Sequence, residues 1–331
     1  MYRRAVVAAV GLLAFGTIVG CGDDESSKPP DYAKELPPPP SPVIPKQPPQ
    51  FWSTVPQNEE QRAEVRQATR QVDICAILPR DVLKPMGNIK SVTVGLDSCR
   101  AVIGTDKPGD GTTLTWHATL LDSIGTGGKG TNHNVGDVPV RIVPDRDSGT
   151  PRACGATAVF PNGAAFYLGL STPPNTDPCK VANDLVPGMI DRWKQSPPQG
   201  TSPDTVPTVL LGADPCTVRT KLGPSTLSSG QRLTQCLFEY RGENVTVAYE
   251  YRVPEYLAAN STPVDINGRE AHRSVSLYDS RIPIFTAAVG PELPPNSTSF
   301  GRRVPVVEVV AVTDDVAKDV LGQALTLFPA S

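Results

Sequence analysis

The sequence predicts an α+β fold in two tandem copies, each an antiparallel sheet packed with helices, preceded by a signal peptide and a disordered proline-rich tether. Three observations carry that reading. An Asp-x-Cys tripeptide opens two segments far apart in the chain, Asp73-Ile74-Cys75 and Asp214-Pro215-Cys216. In each segment a second cysteine then leads into a strand, and a strongly alternating strand follows. Each segment closes on a capped amphipathic helix. The same unlike features recur in the same order, which points to a duplication rather than to two unrelated domains.

Residues 1–21 decide where the rest of the chain lives. Arg3 and Arg4 precede an uncharged apolar core, Ala5 to Val19, which suits a secretory signal and is short for a membrane span. The polar and apolar residues that would flank a twin-arginine pair are missing, so general secretion is expected. The core ends Ile18-Val19-Gly20-Cys21, which resembles the lipobox of bacterial lipoproteins. That resemblance implies that Cys21 becomes the mature N-terminus and carries diacylglycerol on its thiol. Two or three acyl chains, at roughly 0.8 kcal/mol per buried methylene, hold a protein to a membrane unaided. The expected location is the extracytoplasmic face of the bacterial cell membrane, with the lipidated N-terminus as the membrane contact.

Residues 22–57 are acidic, then proline-rich around Pro37-Pro38-Pro39-Pro40, with no hydrophobic period. They are expected to form a disordered tether of polyproline II character, reaching up to ~100 Å at about 3 Å per residue.

The first domain is expected over 58–195. A polar helix from Asn58 to Gln71 has only Val65 and Val72 to bury and should pack weakly. A helix-like stretch from Cys75 to Met86 follows, then strands at Cys99–Ile103, Thr113–Leu120, Val138–Val143, Ala156–Phe160 and Ala165–Leu170. The closing helix starts at Thr176-Asp177-Pro178-Cys179, with Asp177 as N-cap and Pro178 at the first helical position. It sets Val181, Leu185, Met189 and Trp193 at helical spacing. Residues 196–206, rich in Pro, Ser, Gly and Thr, read as a linker.

The second domain, 207–331, repeats the order. Cys216–Leu222 is helix-like, and Cys236–Tyr240, Val245–Tyr251, Val264–Ala271, Ile284–Val289 and Val306–Val312 supply the strand-forming runs. Thr313-Asp314-Asp315 caps a helix carrying Val316, Val320, Ala324 and Leu327.

Seven cysteines in an exported chain divide into one lipid site and an even set of six, which an oxidising compartment turns into three disulfides. A bond present in both copies must join equivalent positions, which selects Cys75 to Cys99 and Cys216 to Cys236 and leaves Cys154 to Cys179. In the second copy the counterparts of Cys154 and Cys179 are expected near Thr286 and Val316. Metal ligation is not expected, since no Cys-x-x-Cys occurs and His117, His133 and His272 are isolated.

The Asp-x-Cys opening, the second cysteine, the Gly/Pro-flanked middle strand and the Asp177-Pro178-Cys179 helix resemble actinobacterial surface lipoproteins, mycobacterial and nocardial, that carry domains of unknown function. More distantly they are similar to extracellular sensor-type and PsbP-like α/β folds. The resemblance implies an envelope protein with an interaction or ligand-binding role, and it brings no catalytic residues.

The remaining motifs point the same way. A net charge of −3 shows no basic excess, so nucleic acid is not an expected partner. In the run 125–131, Lys129 is followed by Gly130 rather than Ser or Thr, so a flexible loop is expected and not a phosphate loop. The run from Asp145 to Gly149 lacks the later carboxylates of a calcium loop and reads as a surface turn. Ser171 does not sit in a nucleophile elbow, and His117 should point to a solvated face opposite Trp116. No catalytic, cofactor or metal residue is assigned. The expected function is a membrane-anchored envelope lipoprotein that binds a protein, glycan or lipid without enzymatic chemistry, in a groove of one sheet or in the cleft between copies. The alternative is an envelope-modifying hydrolase without a recognisable motif.

Overall fold

The computed structural model describes residues 47–104, 110–127, 129–146, 151–259, 261–277, 279–299 and 301–329. The expected signal peptide, Cys21 and the expected tether up to residue 46 lie outside the described residues.

The first sheet contains β1 (Ile89–Val94), β2 (Ser98–Ile103), β3 (Thr112–Leu120), β4 (Thr131–Val135), β5 (Val138–Pro144), β6 (Ala153–Val159) and β7 (Ala164–Ser171), in the spatial order β1-β2-β3-β7-β6-β5-β4. The second contains β8 (Ser225–Leu227), β9 (Gln235–Tyr240), β10 (Glu243–Arg252), β11 (Thr262–Ile266), β12 (Arg269–Val275), β13 (Pro283–Ala288) and β14 (Val304–Val310), in the order β11-β12-β13-β14-β10-β9-β8. Each sheet is a meander of three strands and a meander of four, and the last strand of the second meander pairs with the last of the first. The two topologies are identical, and every named pairing is antiparallel.

Pairing register fixes which residues correspond. Cys99 faces Trp116, which faces Leu168, which faces Ala156. In the second sheet the same path runs from Cys236 to Val247, Val309 and Phe285. Two residues back along the strand, Cys154 therefore corresponds to Pro283 rather than to Thr286. The strands missed in the sequence, β1, β4 and β8, are edge strands. β4 buries none of its residues, so it carries no period-two signal. The run 264–271 is not one strand but the turn of the β11–β12 hairpin. Asn267 and Gly268 both take positive φ, 56° and 78°, as a tight hairpin turn requires.

Alternation decides the core. In β3, Thr112, Leu114, Trp116 and Ala118 are buried while Thr113, Thr115 and His117 face the other side. On the inner face of the same sheet, at β5, β6 and β7, packs α2 (Pro178–Lys194), through Ala182, Val186, Met189, Ile190 and Trp193. Val181 and Leu185, expected on that stripe, are only partly buried. The second sheet packs in the same way on α3 (Asp314–Leu325), through Val316, Ala317, Val320, Leu321 and Ala324.

The last residues of the expected tether, 22–57, belong to the folded part. Residues 49–53 form a short helical turn that carries Trp52 into the core, against Trp193 (5.6 Å between ring centroids) and Phe160 (6.0 Å). Its Nε1 donates to Ser196 Oγ at 2.9 Å. Prolines in this stretch set the backbone, but the large apolar area of an indole is what draws it in. The first helix, α1 (Glu59–Gln71), is also better packed than its polarity suggested, with Val65, Ala68, Thr69 and even Arg70 buried.

Three of the four Asp-x-Cys tripeptides do the same local work. Asp73, Asp177 and Asp214 each cap a helical turn by accepting the backbone N–H of the cysteine two residues on, at 3.0, 2.9 and 2.9 Å. The cap holds each cysteine at the start of a turn that lies beside a strand. Cys75 bonds Cys99 of β2, Cys216 bonds Cys236 of β9, and Cys179 bonds Cys154 of β6, with Cα separations of 5.5, 5.0 and 5.2 Å.

A candidate binding cleft between the two sheets

The halves are joined by an exchange of equivalent side chains. Leu96 and Leu233 each stand three residues before the strand cysteine of their half, Cys99 and Cys236. Leu96 packs against the second core, and Leu233 is buried in the first. Reciprocal contact of this kind is the mark of a two-fold interface, here within one chain. The backbone repeats it: Asp97 O accepts from Ala118 N, and its counterpart Thr234 O accepts from Tyr249 N, both at 2.9 Å.

Buried polar contacts reinforce the junction. The Arg70 guanidinium donates to Leu233 O at 2.7 Å and pairs with Asp214 at 3.2 Å. Burial pushes its pKa down, and the Asp214 carboxylate opposes that shift. Asp73, fully buried, accepts from Ser202 N at 2.8 Å and Thr205 Oγ1 at 2.7 Å, and its own N–H donates to Pro197 O. Gln199 donates to Arg70 O and Val72 O, and Arg80 forms a forked pair with Asp204. The stretch 196–206 is thus pinned along its length, where its composition had suggested a free linker. Composition reports what a segment lacks, not what its neighbours offer.

Two cavities lie on this junction, and Asp97 and Thr234 line both. The larger, about 1020 Å³, is walled by α1 (Glu59, Arg62, Arg66), by the end of β3 with His117, and by the loop 228–235 that carries Arg232. The smaller, about 580 Å³, is walled by the hairpin of residues 93–100, by Tyr249, Glu250 and Tyr251, and by Thr298, Ser299 and Arg303. The walls correspond: loop 228–235 matches the β1–β2 hairpin, and the end of β3 matches the end of β10. The second cavity is smaller where the long β13–β14 connection, residues 289–303, replaces the short turn 160–163. That connection also reaches the first half, where Val94 N donates to Ser297 O at 2.7 Å and Thr93 Oγ1 meets Ser299 Oγ at 2.6 Å.

Asp97 is the singular group at this site. Its counterpart is the uncharged Thr234, so this position carries a carboxylate in one copy only. Burial pushes its pKa up, the nearby Glu250 adds to the shift, and His117 opposes it. Tyr251 is pushed up to about 12, mainly by burial, with its hydroxyl 2.8 Å from Thr208 Oγ1. Asp97 heads a further Asp-x-Cys tripeptide, Asp97-Ser98-Cys99, a signal missed in the sequence, and its surroundings come from the other half. His117 was expected on a solvated face; it faces away from Trp116 but is half-buried, lining the larger cavity and touching Tyr167 at 5.3 Å between ring centroids.

The glycine-rich run 125–131 is held rather than loose. Arg141, buried in β5, donates to Gly125 O (2.8 Å), Gly127 O (2.7 Å) and Lys129 O. These carbonyls turn inward toward a cation, the reverse of a phosphate loop, whose N–H groups converge on an anion. Asp145 accepts from Arg152 N at 3.1 Å, while residues 147–150 of that turn lie outside the described residues. Among the described residues no group of three His, Cys, Asp or Glu side chains could hold a metal ion, and no helix is long and apolar enough to cross a membrane.

No protein family, curated protein or solved structure matches the chain.

Proposed function

We propose that the protein is a membrane-anchored envelope lipoprotein, attached through Cys21, whose folded part is a binding module that takes a polar ligand in the cleft between the two sheets. The observation that carries this reading is the larger cavity: about 1020 Å³, at the upper end of ligand sites, open, and rimmed by Arg62, Arg66 and Arg232 around a single desolvated carboxylate. Arg62 and Arg66 both reach Glu59, at 3.7 and 2.6 Å, so two of these guanidiniums are already positioned by the fold. The lipobox-like ending at Cys21 and the resemblance to actinobacterial surface lipoproteins support the same location.

The test is a pull-down from solubilised membranes of the source cell with the lipidated chain, run beside Asp97→Asn and Arg232→Glu. A partner retained by the wild type and lost from both variants is the expected result. Retention by both variants would remove the cleft from the account. In the same cells, Cys21→Ser should move the protein out of the membrane fraction or leave the precursor uncut.

One observation favours a hydrolase instead. Asp97, with its pKa raised and Glu250 in the same cavity, has the character of a general acid. That reading requires turnover of envelope glycan or peptide by the purified protein, abolished in Asp97→Asn.

A further inference from the structure

The outer face of the first sheet carries a second site, which goes beyond the cleft and does not rest on it. Gly155 and Gly169 stand directly opposite each other on β6 and β7, and the ring of Tyr167 lies across both. A methyl group on Gly155 would come within 2.7 Å of the Tyr167 hydroxyl, and one on Gly169 within 3.0 Å of its ring. The glycines therefore let the ring lie flat on the sheet, with its other face turned to solvent and the residue 36% exposed. An aromatic side chain covering glycine in a sheet accounts for that posture alone. It does not account for the surroundings.

Around the ring is a groove of about 600 Å³. Thr113, Thr115, Thr157 and Ser171 line it, and none of their hydroxyls has a hydrogen-bond partner among the described residues. Of the described lining residues only Asp145 is charged, and it is occupied by Arg152 N at 3.1 Å and Arg146 at 3.5 Å. Among its described residues the groove has no cation for an anionic ligand and no unpaired carboxylate for a cationic one. What suits it is an uncharged molecule that offers a face of C–H groups to an aromatic ring and hydroxyls to hydroxyls.

The duplicated half keeps threonines at two positions of the row, Thr246 for Thr115 and Thr286 for Thr157, but it lacks the aromatic platform. By register, Gly155, Gly169, Tyr167 and His117 correspond to Ile284, Val310, Glu308 and Ala248. The platform is a feature of one copy and not a requirement of the fold.

We propose that this face binds a neutral saccharide, with one pyranose ring stacked on Tyr167 and its hydroxyls met by the threonine row. The partner chemistry is a neutral envelope or extracellular glycan. Titration of the folded chain with a panel of neutral tri- to hexasaccharides of glucose, mannose, galactose and arabinose, followed by calorimetry and by the ring-proton shifts of Tyr167, tests it. At least one member should bind with a dissociation constant in roughly the millimolar range or below. Tyr167→Ala should weaken binding about tenfold or more, while Tyr167→Phe, which keeps the ring, should stay within about threefold. Asp97→Asn, in the cleft, should leave saccharide binding unchanged. Absence of binding across the panel overturns the proposal, and so does binding that is indifferent to Tyr167→Ala. Should Tyr167→Ala fail to fold, the Tyr167 ring shifts in the unaltered protein decide: saturable shifts support stacking, and their absence in the presence of bound saccharide overturns it.

Discussion

In the first half the closing helix starts at a disulfide; in the second it starts at an ion pair. Cys154 of β6 is bonded to Cys179, the second residue of α2. At the register position of Cys154 the second half has Pro283, and at the cap position of Cys179 it has Asp315. The neighbouring residue Asp314 instead accepts a forked pair from Arg273 of β12, at 2.7 and 2.9 Å. The outer faces differ in the same sense. Where the first sheet lays Tyr167 across two glycines, the second sets Glu308, pushed up by burial and opposed by its pairing with Arg252 at 2.9 Å. One topology thus tolerates covalent or ionic fastening of its helix and an open or closed outer face, because neither feature takes part in the strand pairing that defines it.

That contrast leaves the second half with a single covalent staple, and breaking it should have the largest effect. Replacing Cys216 and Cys236 together by Ala opens a closed loop with a sequence separation of 20. A loss of about 3 kcal/mol is expected from the freed unfolded chain. The same pair of changes at Cys154 and Cys179 should cost a similar amount globally, yet the first half keeps Cys75 to Cys99. Hydrogen exchange separates the cases: amides of β9 and β10 should lose protection in the first variant, and amides of β6 and α2 should lose far less in the second. Equal loss in both sheets would mean that the halves unfold only together.

Whether they do depends on the exchanged leucines. Leu233→Ala empties a buried position in the first core and is expected to cost about 2–3 kcal/mol; Leu96→Ala, at a half-buried position, about 1–2 kcal/mol. Calorimetry of the double variant should show two transitions where the wild type shows one. A single transition at lowered temperature would place the coupling in Arg70, Asp73 and the pinned stretch 196–206 instead.

What could be read from the sequence is what repeats or alternates. Period two gave β3 and β10, and the capping residues gave the starts of α2 and α3. The recurrence of Asp-x-Cys gave the duplicated order and the cysteine pairs. Edge strands escaped because a strand with no buried face has no period. Trp52 escaped because two aromatic residues among prolines are too few to outweigh the composition around them. The cleft escaped for a deeper reason. Leu96 and Leu233 carry no local signal, Asp97 reads only as one more Asp-x-Cys, and their roles exist only once the two halves meet. Tyr167 shows the same limit: its alternation was legible, but the glycine pair beneath it is assembled by pairing across strands.

The smallest effect tests the ionic fastening itself. Arg273 and Asp314 are each about 36% exposed in their side chains, so their pair is screened by solvent and should contribute under about 1 kcal/mol. Its signature is in the pH dependence. The hydrogen bond from Arg273 holds the Asp314 carboxyl below its ordinary range, so the native state binds fewer protons there than the unfolded chain does. The contribution is therefore fully present above the unfolded value, about 3.9, and is lost as pH falls through the lower folded value. Asp97 and Glu308 act with the opposite sign. Burial raises both, so the native state binds more protons than the unfolded one, and each penalises folding as pH rises through its folded value. The wild-type profile mixes these effects, and a difference profile isolates the pair. Urea midpoints of the wild type and Arg273→Gln should differ slightly at pH 7, converge as pH falls below about 3, and differ less in high salt at neutral pH. A difference that persists unchanged into acid would show that Arg273 acts through packing of its stem and not through Asp314.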